Sequence, residues 1–265
     1  MSSAVTKFGT GYVSFETFRQ VCLTIGKIES AEINRTAKVP AFAIQLLFSP
    51  GLMKEHFRVS GKEHYTSSAQ LVSNHSVEDL TGADVLCTVN FPRKQIGKMM
   101  SDCLVTGVQA PRGTADEKRE TTIFMRPSSL VGPGSRVGIL AEEEPLESNS
   151  RTLDWPTFAS LDLRVGSVKE IELLDNTFLG TLKKVKCVID FGEFGEIGCV
   201  GLFGSDFKLS SLHRKQVLTL VNLREQDLKE RFEISDDSIL GAICTVFGTA
   251  VIEPAKPVEP GFRLA

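Results

Sequence analysis

The 265-residue sequence predicts an all-β fold: two tandem copies of one small β-barrel with short helices, joined by an acidic linker. Three observations predict it. Several segments recur in the same order in the two halves of the chain. Most apolar runs are short and strand-like, with turn signals between them. The charge balance changes between the halves.

The repeat sets the frame. Ser14-Phe15-Glu16-Thr17-Phe18 matches Asp154-Trp155-Pro156-Thr157-Phe158. Each is followed, eight residues after its last Phe, by a glycine in a like setting, Gly26 or Gly166. Val85–Asn90 matches Val217–Asn222, and Ser101–Gly107 matches Ser235–Gly241. Both copies close on a Pro-Gly turn, Pro133-Gly134 and Pro260-Gly261. The first domain is therefore expected over residues 14–140 and the second over 154–265. Residues 141–153 between them carry Glu142, Glu143, Glu144 and Glu147 with one proline, as a linker does. A flexible linker of that length spans about 20 Å, so the two domains stay close.

The elements follow in order. Ser14–Val21 reads as a short helix. Ala41–Phe48 is a strand bounded by Pro40 and Pro50. Ser76–Leu80 reads as a second short helix, with Ser76 as N-cap and Asp79 three residues on. Lys184–Phe191 alternates basic and apolar residues, the pattern of a half-buried strand. Gln216–Val221 and Ala242–Val251 are β-branched runs. About five short strands in about 110 residues suggest a small barrel. The glycines fit bulges and turns.

Composition excludes several classes. No apolar run reaches the roughly 20 residues that cross a bilayer, so no membrane partner is expected. Residues 1–7 lack a secretory pattern. Six cysteines lie mostly in apolar runs with no C-x-x-C pair, which favours reduced thiols, a cytoplasmic setting and no zinc. His56 and His64 have no ligand-like spacing, so no metal or other cofactor is expected. The chain lacks a phosphate-binding loop, a nucleophile elbow and a metalloprotease helix, so it is not expected to be an enzyme. Net charge is −3. Residues 14–140 hold 15 Lys+Arg against 12 Asp+Glu, while 154–265 hold 13 against 17. The first half is the better candidate for a polyanion.

The quoted segments resemble a known family. Val39-Pro40-Ala41-Phe42, Ser67–Leu71, Val89-Asn90-Phe91-Pro92-Arg93-Lys94-Gln95-Ile96-Gly97 and Ser101–Gly107 make the first half similar to the CsaA-type tRNA-binding domain. The second half resembles it more faintly, through Leu161-Asp162-Leu163-Arg164-Val165-Gly166. It has Cys199–Leu202 in place of Ser67–Gln70, and Leu223–Gln226 in place of Phe91–Lys94. The resemblance implies five-stranded OB-fold barrels with added elements that build a dimer, so tandem copies imply a pseudo-dimer paired within one chain. It implies binding of tRNA by shape, and a chaperone role in the CsaA subgroup. It also implies no catalysis.

The residues that would carry binding lie in the first half. Arg93, Lys94 and Lys98 sit in one loop and supply cations for phosphates; Lys38 matches a basic family position near the same face. Phe91 is either a stacking platform or a hydrophobic plug, and Met99 offers an adaptable apolar contact. Ser67, Ser68, Asn90 and Ser101 are short hydrogen-bonding groups; Asn90 either meets ligand or caps its turn. The 49–66 insertion is either a basic finger beside the groove or a surface hairpin. The first reading is a tRNA or structured-RNA binder. The alternatives are a chaperone for unfolded polypeptide and an assembly cofactor docking on an aminoacyl-tRNA synthetase.

Overall fold

The computed structural model describes residues 6–49, 64–109, 122–140, 153–178 and 181–265. The expected linker, except Leu153, and nearly all of the 49–66 insertion lie outside these residues.

The fold is mostly β with a few short helices. The first half runs α1 (Phe15–Arg19), β1 (Leu23–Ile33), β2 (Phe42–Leu47), β3 (His64–Ala69), α2 (Val77–Leu80) and β4 (Asp84–Thr88). It continues with β5 (Lys94–Ile96), β6 (Met99–Ser101), β7 (Leu104–Val105), β8 (Gly107–Gln109) and β9 (Ile123–Pro127). The second half runs α3 (Trp155–Ser160), β10 (Leu163–Phe178), β11 (Leu182–Asp190), β12 (Glu196–Gly204), β13 (Gln216–Leu220) and α4 (Glu225–Phe232). It ends with β14 (Ile239–Ile243), β15 (Thr245–Val246), β16 (Ala250–Pro254) and β17 (Arg263–Leu264).

Capping starts α1 and α2 where the sequence places them, and starts α3 at the position in the second half that matches α1. Ser14 accepts from the Thr17 N–H and Asp154 from the Thr157 N–H. Ser76 and Asp79 form a reciprocal capping box, and Lys256 bonds Asp79.

In the second half β10, β11 and β12 form an antiparallel meander. Strand β13 pairs with the other edge of β10, and β14 joins β13 to β12, running parallel to the latter. The five strands thus close on themselves, as in a small Greek-key barrel. In the first half the order is β3-β2-β1-β4-β7. Between β3 and β7 a side chain carries the ladder: the Ser67 hydroxyl donates to the Cys103 carbonyl (3.0 Å) and accepts from the Val105 N–H (3.3 Å).

The registers of the two halves match in detail. On β1, Ile28 pairs with Leu46, and the next pair is Ser30 with Gln45. On β10, Val168 pairs with Ile189, and the next is Glu170 with Val188. One bulge therefore falls at Glu29 and one at Lys169, each re-aiming a long strand. Gly26 and Gly166 stand opposite Val85 and Val217. A Cβ on Gly26 would come within 2.8 Å of the Phe48 ring, and one on Gly166 within 2.4 Å of Ile189. Only glycine lets those core side chains pack this closely over the strand.

One sequence match shifts. Val105 pairs with Cys87 on β4, and Ile243 pairs with Thr219 on β13. Since Cys87 and Thr219 correspond, Val105 corresponds to Ile243, so the matching of Ser101–Gly107 with Ser235–Gly241 is displaced. The reason is an element swap. Between β4 and β7 the first half places the β5–β6 hairpin, whereas the second half places α4 before β14.

The halves are sewn together. Strand β8 pairs with β17, β9 pairs with β16, and Gly138 bridges Thr245. One apolar cluster is built mainly from the first half and another mainly from the second. A third joins Leu23, Ile25, Val108 and Met125 to Leu163, Val165, Leu220 and Ile252.

Candidate functional site

The site forms where the β1–β2 turn meets the β5–β6 hairpin. Asn34 shapes the turn: its carbonyl oxygen accepts from the Thr36 N–H (3.1 Å) and hydroxyl (2.8 Å). Its amide donates to the Ser68 hydroxyl at 3.1 Å, which ties the turn to β3. The hairpin tip is seated on the turn. The Lys98 N–H donates to the Thr36 hydroxyl at 2.9 Å. Gly97 has φ +64°, and a Cβ there would lie 2.3 Å from the Thr36 carbonyl oxygen. Arg35 and Lys38 thereby flank the turn on which Lys98 is seated, with Lys94 on the first strand of the same hairpin.

The loop expected from sequence holds a short two-stranded hairpin: Lys94 lies on its first strand and Lys98 in its turn, with Arg93 just before it. Lys94 pairs with Ser101 and Ile96 with Met99 across it. Arg93 is oriented by Asp102 (2.6 Å), a nearly buried carboxylate that also accepts from the Thr66 N–H (3.0 Å). The Arg93 charge is partly balanced there. Arg35, Lys38, Lys94 and Lys98 are exposed, and among the described residues none has an acidic partner. Burial, then the charge on Asp102, push the Tyr65 phenol above its ordinary range, so it stays neutral beneath the site.

The short polar groups divide. Ser101 donates to the Cys103 carbonyl (3.0 Å) and accepts from the Ser68 N–H (3.3 Å). Ser68 and Ser101 are half-buried and border the hairpin. Ser67 is buried in the ladder described above, so its hydroxyl is engaged inside the sheet. Asn90 is a clamp: it accepts from the Cys22 N–H (3.1 Å) and donates to the Gln20 carbonyl (2.7 Å). Asn222 does the same for the Asp162 N–H and the Ser160 carbonyl. The Phe91 ring is half-buried, 5.4 Å from Phe158 and 6.0 Å from Trp155. Ligand contact through Asn90, Phe91 and Ser67 therefore competes with structural duties the side chains already have.

Sequence reading missed Asn34, Arg35 and Thr36. Their signal was present, a polar Asn-x-Thr turn between two strand-like runs. Ile33, Val39 and Met100 are also exposed at this site, and Met99 is half-exposed.

Over about half its length, the chain is similar to solved CsaA chaperones. One is chaperone CsaA from Bacillus anthracis, with 27% identity and a TM-score of 0.37, covering 47% of this chain and 96% of that one. Another is the CsaA chaperone protein of Picrophilus torridus, with 23% identity and a TM-score of 0.36, covering 47% and 97%. A MetRS-related protein from Pyrococcus horikoshii shares 23% identity at a TM-score of 0.33, covering 43% and 97%. No protein-family model matches the sequence, and no curated protein does.

The corresponding region of the second half is differently built. Cys199 pairs with Cys187 as Ser67 pairs with Ile44, so a buried thiol stands in the place of the Ser67 hydroxyl. The cations there are engaged. Lys184 donates to the Phe232 and Glu233 carbonyls at the C-terminal end of α4 (3.0 and 3.2 Å). Lys186 binds Asp236 and Ser238. Among the described residues no group of three or more His, Cys, Asp and Glu is placed to hold a metal ion. No helix among them is long and apolar enough to cross a membrane.

Proposed function

We propose that the chain is a non-catalytic RNA-binding protein that takes tRNA or similarly structured RNA through its first half. The observation that carries this reading is the cluster of Arg35, Lys38, Lys94 and Lys98. The hairpin tip seated on the β1–β2 turn holds it together, and no carboxylate among the described residues neutralises it. Phosphates would meet these cations, while Ser68 and Ser101 lie within the same surface. We also propose that residues 14–140 and 154–265 are two copies of one domain, paired with each other within the chain. The matched bulges and the β8–β17 and β9–β16 pairings support this. The six buried free cysteines support a reducing, cytoplasmic setting.

Fluorescence anisotropy with labelled bulk tRNA tests the function. Four neutralised phosphates predict a loss of about 100-fold in affinity between roughly 50 and 200 mM salt. The Lys94→Glu/Lys98→Glu variant is expected to lose most of the binding. Unchanged binding by that variant would overturn the reading.

A second reading is favoured by exposed Ile33, Val39 and Met100 beside the cations: capture of extended polypeptide. Binding of an unfolded peptide that scarcely changes with salt would select it over RNA.

A further inference from the structure

Helices α1 and α3 occupy matching positions but differ in what covers them. Each is preceded by a residue that docks on the other half. Val13 donates its N–H to the Asn222 carbonyl (2.8 Å), and Leu153 donates to the Asn90 carbonyl (2.9 Å). Phe15 and Trp155 are thus the same first helical residue. Phe15 is 5% exposed, whereas Trp155 is 57% exposed.

The cover over Phe15 is α4. Asp227 of that helix accepts from the Phe15 N–H at 3.2 Å. Arg231, one turn later, lays its guanidinium 4.4 Å over the Phe15 ring. Leu228 and Phe232 are buried in the same core cluster as Phe15. Among the described residues, the first half places no such helix beside α3. Arg224 donates its N–H to the Val13 carbonyl and α4 follows at once. Pro92 stands where Arg224 does, has no N–H to donate, and leads into the hairpin instead. The Trp155 N–H, an orphan of the helix start, has no partner among the described residues.

We propose that the face formed by Trp155 and Phe91 is a docking site for a short amphipathic helix of a protein partner, carrying an Asp and an Arg one turn apart as α4 does. The chain itself shows what such a face accepts. An Asp would take the free N–H of Trp155. An Arg would stack on the indole, the aromatic ring that holds a cation best. Helix-in-groove recognition by a few anchors supplies the remaining contact.

Trp155 is the sole tryptophan, so it reports on its own face. A helix-stapled peptide of residues 223–234, titrated into the full chain, is the probe. The expected result is a saturable blue shift of Trp155 emission with reduced acrylamide quenching. The same peptide with Asp227→Ala and Arg231→Ala is expected to give neither. Trp155→Ala in the chain is expected to weaken binding of labelled peptide by roughly 30-fold with an unchanged melting temperature. No response to the peptide at any soluble concentration would overturn the proposal, as would equal binding of the double-Ala peptide. So would emission that is already blue and unquenchable before peptide is added, because the face would then be covered by the chain itself.

Discussion

At the scale of single residues, the matching asparagines Asn90 and Asn222 are held by hydrogen bonds that leave little free. Asn222 bonds the Asp162 N–H and the carbonyls of Gly11 and Ser160, all within 2.9 Å, and is itself fully buried. Asn222→Ala strands those groups and is expected to cost about 3 kcal/mol, read by chemical denaturation. Asn90→Ala is expected to cost less, because that side chain is half-exposed. His75 makes a different prediction. It is nearly buried, 4.7 Å from the Phe124 ring. Burial, with help from Lys256 and opposed by Asp79, lowers its pKa to about 4. A depressed histidine is neutral when folded and takes up its proton more readily when unfolded. Stability is therefore full above the ordinary value near 6.5 and is lost as pH falls from there toward about 4. The loss attributable to this residue is about 2 kcal/mol after solvent screening. A His75→Phe variant is expected to show a flatter stability profile over that window. The sequence displayed these residues as isolated polar letters in apolar runs. It held no sign of which backbone group each asparagine would meet, because those partners lie 60 to 211 positions away.

At the scale of elements, strands and short helices were legible because their signals are local. Apolar alternation marked β11, and Ser14 and Ser76 marked helix starts. What was illegible was the swap of a hairpin for a helix after β4 and β13. Both segments are short and mixed in polarity, and both contain a Ser-Asp pair that invites false alignment. The basic hairpin residues stood out as charges. Their convergence with Arg35 and Lys38 depends on Gly97 meeting Thr36 across the fold. Gly97→Val is expected to lift the tip off the turn and weaken RNA binding several-fold, with a melting temperature close to the original. Gly166→Ala tests the strand instead. Its Cβ meets Ile189 at 2.4 Å and Phe191 at 2.8 Å, so a cost of about 1–3 kcal/mol is expected by thermal denaturation.

At the scale of the whole molecule, the shared cluster and the cross-half ladders join what the repeat alone would leave as two beads. Such coupling predicts a single cooperative thermal transition, with calorimetric and van't Hoff enthalpies equal. Two resolved transitions would show that each half keeps its own stability. Leu220→Ala, in the shared cluster, is expected to lower that one transition as a whole, at about 2–5 kcal/mol.

The segment around residues 6–13 connects the scales. Phe8 packs against Phe191 and Phe194, Thr10 bonds Asp162, and Val13 bridges Leu223. Every one of those partners lies at least about 150 positions further along the chain. At about 5–20 residues per second of synthesis, this stretch waits roughly 10–40 s on the ribosome before Phe191 or Leu223 exists to receive it. The earliest-made part of the described protein is among the last to be seated, and for that interval Phe8 is an apolar side chain open to whatever chaperone stands nearest the exit.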